Sequence, residues 1–64
     1  MSINEHKITT YHGNVPSVRF ESSFDEAARE FDRQMSAVNR NEANCVEWHR
    51  PDGRPYRKWG CING

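Results

Sequence analysis

Apolar and polar residues first alternate along this chain, then apolar ones recur every three or four positions, then alternation returns. That change of period marks strands, a helix and further strands. The first alternating run is Lys7 to Tyr11 and the second Ser17 to Glu21, joined over Gly13-Asn14-Val15. A three-residue connection pairing His12 with Pro16 sets Ile8 opposite Phe20, Thr10 opposite Val18 and Lys7 opposite Glu21. One face is then apolar and the other carries a charge pair, as half-buried antiparallel strands require. A two-residue loop would instead set Ile8 against Arg19. Pro16 lacks an N–H and belongs at a strand start or edge.

The helical run opens at Ser23, a good N-cap, with Glu26 three residues on completing a capping box. Asp25 and Glu26 occupy the first turn, where the helix dipole favours negative charge. Phe24, Ala27, Ala28, Phe31, Met35 and Val38 form one apolar stripe, with Glu30 and Asp32 assigned to the outward face. The pattern stops in Asn39-Arg40-Asn41-Glu42-Ala43-Asn44, a polar stretch that ends the helix.

A second hairpin runs from Cys45 to Ile62 and turns at Pro51-Asp52-Gly53-Arg54, where Pro fixes φ and Gly accepts a positive one. Pairing Arg50 with Pro55 sets Val46 opposite Trp59, Glu47 opposite Lys58, and Trp48 opposite Arg57 within reach of a cation–π contact. Val46, Trp48 and Trp59 then face the helix, and Cys45, Glu47, His49, Tyr56 and Lys58 face away. The expected fold is α+β, of ββαββ type, with one amphipathic helix packed on a small antiparallel sheet. One domain spans 1–64, with residues 1–6 loose. Strand order stays open, and if the two hairpins do not share a sheet, a homodimer could complete it.

Composition narrows the function. A chain of 64 residues buries only about 60% of its unfolded surface, so its core is marginal and a water-excluding catalytic pocket is hard to build. Nine basic and nine acidic residues cancel, leaving no global field to gather nucleic acid or an anionic membrane. The opening Met1-Ser2-Ile3-Asn4-Glu5-His6 is polar and lacks the basic start and apolar run of a signal peptide, so none is expected. No window approaches the roughly 20 apolar residues of a membrane span. No membrane partner is expected, and the cytoplasm is the expected location.

The candidate chemistry gathers in the second hairpin. Arg50, Arg54, Arg57 and Lys58 stand with Tyr56 and Trp59 against one acid, Asp52. Trp, Tyr and Arg dominate protein–protein hot spots. Arginine with stacking aromatics also suits nucleic acid. The plainer alternative is a solvated hairpin whose charges keep an edge strand from pairing with strangers. Cys45 and His49, four apart on a strand, lie roughly 13 Å from each other, too far to share a metal. Cys45 faces Gly60 in this register, so two reduced, partly buried thiols are expected, although a one-residue shift would set Cys45 opposite Cys61 and bring a disulfide within reach. No nucleophile elbow or phosphate-cradling glycine loop is present. The expectation is a small non-enzymatic binding or regulatory protein, of the kind that serves as a bacterial or phage accessory. It uses no cofactor and no metal, and meets a protein partner through Arg50, Arg54, Tyr56, Arg57 and Lys58. The alternative is a nucleic-acid-binding module using the same hairpin.

Overall fold

A computed structural model describes residues 5–61. Strands β1 (His6–His12) and β2 (Val15–Glu21), helix α1 (Phe24–Asn39), and strands β3 (Cys45–His49) and β4 (Pro55–Trp59) follow in that order. The strands form one antiparallel sheet in the order β2-β1-β3-β4, so both hairpins share it. The helix lies on one face, which is the expected ββαββ arrangement. Ile8, Ala27, Phe31, Val46 and Trp48 form the core between the two layers, with Ala28, Met35 and Val38 packed against it. The expected extension of the hairpin to Ile62, and the segment Met1 to Asn4, lie outside the described residues. β1 takes in His6, a residue expected in the loose N-terminal segment.

The first hairpin corrects the expected register. Its loop is the two residues Gly13-Asn14, so His12 pairs with Val15, Ile8 with Arg19, Thr9 with Val18, Lys7 with Phe20 and His6 with Glu21. Proline explains the choice. A three-residue loop would close on Pro16, which has no N–H to give, whereas the two-residue loop closes on Val15. Gly13, at φ +68, supplies the left-handed backbone that the tight turn needs. Because side chains alternate along a strand, the one-residue slip exchanges the two faces of β2. Arg19 and Glu21 move to the helix side, where Arg19 Nε meets Glu21 Oε2 at 3.1 Å. Val18 and Phe20 move to the uncovered face, 46% and 54% exposed.

The helix forms where its caps place it. Ser23 Oγ accepts the Glu26 N–H at 3.1 Å. At the other end Asn41 adopts φ +63. Its N–H bonds the Val38 carbonyl at 3.0 Å, and the Glu42 N–H bonds that of Ala37 at 2.8 Å. This is a Schellman closure with asparagine in the position that glycine usually fills. Arg40 then grips Glu42 through Nε (3.1 Å) and a terminal nitrogen (3.0 Å). That pairing holds the Glu42 carboxyl below its ordinary range and the Arg40 guanidinium above its own. Glu30 departs from its expected outward position. It is buried, accepting from Gln34 Nε2 at 2.7 Å and lying 3.6 Å from Arg33.

The polar loop after α1 ties the helix to the first hairpin. Asn44 Oδ1 accepts the Gly13 N–H. Asn44 N–H donates to the Tyr11 carbonyl at 2.7 Å, and His12 Nδ1 donates to the Glu42 carbonyl at 3.2 Å. After β4, Gly60 sits at φ +76 in the left-handed region. A Cβ there would lie 2.5 Å from Val38 Cγ1 and 3.0 Å from the Asn44 carbonyl oxygen. Gly60→Ala therefore combines left-handed strain with overpacking. It is expected to lower stability by about 2 kcal/mol or more, read as a drop in the urea midpoint. An unchanged midpoint would contradict this packing.

Candidate functional site

The second hairpin keeps the expected pairs Val46–Trp59, Glu47–Lys58 and Trp48–Arg57, but His49 pairs with Pro55 in place of Arg50. The turn accounts for the shift. Gly53, at φ +91, donates its N–H to the Arg50 carbonyl at 2.8 Å, and the Arg50 N–H goes to the carbonyl of Arg54 at 2.9 Å. The loop is thereby one residue tighter, and Tyr56 is left as the extra residue of a bulge between Trp48 and His49. Bulges re-aim side chains. Tyr56, expected on the face away from the helix, lies against Trp48 with ring centroids 4.7 Å apart.

That bulge completes an aromatic cluster at one end of the molecule. Trp48, 1% exposed, forms its floor. His6 meets Trp48 at 5.8 Å, and Phe24 meets Trp48 at 5.1 Å and Tyr56 at 5.8 Å. Trp48 Nε1 donates to His6 Nδ1 at 3.1 Å, so the buried indole N–H is satisfied. Phe24 and Tyr56 stand above this floor, 51% and 43% exposed. The geometry is mostly edge-to-face, the arrangement in which aromatic rings attract. The Arg50 guanidinium lies 5.8 Å from the Tyr56 ring centre, and that of Arg57 lies 5.2 Å from the Phe31 ring centre. Arg57 therefore takes Phe31 as its aromatic partner, where Trp48 was expected.

The five residues singled out from the sequence do not make one patch. Arg50, Tyr56 and Arg57 belong to the aromatic end. Arg54 sits at the turn tip, its N–H donating to Asp52 Oδ1 at 2.9 Å and its Nε 4.0 Å from Asp52 Oδ2. Lys58 lies across from Glu47 on the uncovered sheet face. A depression of about 300 Å3 there is lined by Glu47, His49, Pro55, Tyr56, Arg57 and Lys58. Phe24 and His6 were missed as surface candidates. Phe24 reads as the first member of a core stripe, and only the three-dimensional end of the sheet shows that it overhangs. His6 carries no local signal at all. Trp59, expected in the core, shares the face of Val46 but is 43% exposed. Its Nε1 donates to Asn39 Oδ1 at 3.1 Å, fastening β4 to the last helical residue.

The cysteines also correct an expectation. Cys45 and Cys61 are joined as a disulfide, with Cα atoms 4.7 Å apart, inside the usual range for such bonds. The left-handed backbone at Gly60 ends the strand's alternation and brings Cys61 back toward Cys45, which straight extension of β4 would not do. A Glu47 carboxylate oxygen lies within 4.8 Å of both sulfurs. With the sulfurs bonded to each other, that trio holds no metal. Among the described residues no helix is long and apolar enough to cross a membrane. Comparison with known proteins assigns no relationship: no family model, no curated protein and no solved structure matches the chain.

Proposed function

We propose that the protein is a small non-enzymatic binding or regulatory protein whose partner is another protein, met at the aromatic end of the molecule. The observation that supports this is the pairing of two half-exposed rings, Phe24 and Tyr56, with a fully buried Trp48 beneath them and Arg50 alongside. Rings held rigidly by a packed floor lose little entropy when covered, and Tyr, Trp and Arg carry most interface energy. Arg50, Tyr56 and Arg57 are the contact residues, with Phe24 added. Arg54 and Lys58 contribute charge at the tip and on the adjoining face.

Nucleic acid remains the second reading, because Tyr56 and Phe24 present ring faces and edges beside arginine. Salt separates the two. A contact dominated by phosphates weakens by orders of magnitude between about 50 mM and about 200 mM salt. A contact centred on aromatic rings holds over that range. Tyr56→Ala and Phe24→Ala are each expected to weaken partner binding by about 2 kcal/mol or more, measured by calorimetry or pull-down at both salt levels. Loss of binding in the higher salt alone, with tight binding to short DNA or RNA in the lower, would select the nucleic-acid reading.

The cytoplasmic placement read from the sequence fits this proposal only if the fold stands with Cys45 and Cys61 reduced. Cytosolic thiol pools keep such pairs open.

A further inference from the structure

We infer that β2 is the seam of a homodimer, two copies joining their β2 strands antiparallel about a two-fold axis at Phe20. This surface lies at the opposite edge of the sheet from the hairpin of the proposed partner contact, and it stands independently of that reading.

The two sheet edges are not equivalent. β4 is short, bulged at Tyr56 and ends at Gly60, devices that blunt an edge. β2 pairs with β1 over seven residues without a register shift, and Val18 and Phe20 on it are about half exposed. The tight Gly13-Asn14 loop makes His12–Val15 a hydrogen-bonded pair, so Val15, Ser17, Arg19 and Glu21 direct their backbone groups to β1. Val18 and Phe20 direct theirs outward, unused. Pro16 also faces outward and has no donor to offer.

That inventory selects a register. Setting Phe20 opposite Phe20 of the second copy uses the free backbone groups of Phe20 and brings Val18 against Ser22, the residue just past the end of β2. Pro16 falls beyond the shared ladder. The same register sets Arg19 of each copy opposite Glu21 of the other, on the helix side. The intrachain Arg19–Glu21 contact thereby extends into an alternating network of two arginines and two glutamates. On the uncovered face the two Phe20 rings meet and cover each other. Moving the axis to Arg19 would oppose like charges. Moving it to Val18 would place Pro16 inside the ladder, where a bond is lost. Charge complementarity and the missing proline donor thus favour the axis at Phe20. A chain this small gains most from such a partner.

Sedimentation velocity over a concentration series tests the seam, with circular dichroism confirming that each variant folds. The wild type is expected to reach dimer mass. Arg19→Glu and Glu21→Arg, each creating like-charge opposition, are expected to weaken the dimer about tenfold or more. The combined Arg19→Glu/Glu21→Arg swap is expected to restore it to within a few-fold. As a second measurement, Phe20→Cys is expected to cross-link two copies on mild oxidation, with Cys45–Cys61 intact, while Val18→Cys does not. A monomer at every concentration, single reversals without effect, failure of the swap to restore, or cross-linking through Val18→Cys in place of Phe20→Cys would each overturn the seam.

Discussion

Trp48→Ala is expected to leave the chain largely unfolded in water. The side chain is 1% exposed on a central strand. It contacts the rings of His6, Phe24, Phe31 and Tyr56. Truncating a buried tryptophan costs about 3–5 kcal/mol. A domain of this length holds only about 3–10 kcal/mol in total, at about 0.05–0.15 kcal/mol per residue. The loss also removes the floor under Phe24 and Tyr56, so any binding through them should fall with the fold. Urea titration followed by far-ultraviolet circular dichroism reads the effect. A variant that retains the wild-type midpoint would show that the two layers are held by something other than this indole. Trp59→Ala is the contrast. Half-exposed and hydrogen-bonded to Asn39, it should cost clearly less.

The second large effect is reduction of Cys45–Cys61. The bond spans a separation of 16 residues, and closing a loop of that size restricts the unfolded chain by about 3 kcal/mol in the chain-entropy account. The urea midpoint is therefore expected to fall when dithiothreitol is present. The Cys45→Ala/Cys61→Ala variant should resemble the reduced wild type and ignore the reductant. If the midpoint of the wild type does not move on reduction, the bond contributes nothing and the core alone carries the fold. This comparison also decides whether the domain stands in a reducing compartment.

The helix was legible because its signals are local. Ser23 and Glu26 are three residues apart, and the stripe from Phe24 to Val38 recurs within single turns. Most pairs of the second hairpin were legible too, since Pro51 and Gly53 mark the turn and the alternation on either side has one sensible match. The first hairpin was not. Two registers differ by one residue, and the apolar match of Ile8 with Phe20 outweighed the missing N–H of Pro16 in a reading of pattern alone. Backbone hydrogen bonding decided otherwise, and two large apolar residues were left uncovered. The disulfide ranked below two free thiols for a related reason. Straight strands place Cys61 away from Cys45, and only the left-handed turn at Gly60 brings them together.

The candidate site was half legible. Composition drew attention to Arg50, Tyr56 and Arg57, but it could not show that the bulge turns Tyr56 toward Trp48. Phe24 and His6 join from distant parts of the chain, and nothing near them in sequence points to the hairpin. Composition also grouped Lys58 with the arginines, although pairing with Glu47 assigns it to the other face.

The central claim is that binding resides in the exposed rings and Arg50, while folding resides in the tryptophan beneath. Capture of a partner from the native host by the wild type and by Arg50→Ala/Tyr56→Ala, with nuclease present, tests it most directly when each protein's urea midpoint is measured alongside. The account predicts a variant that still folds, with a midpoint lowered by the lost Tyr56 contacts but well above that of Trp48→Ala, and that no longer retains a protein partner. A variant that folds and captures the same partner equally well would contradict it.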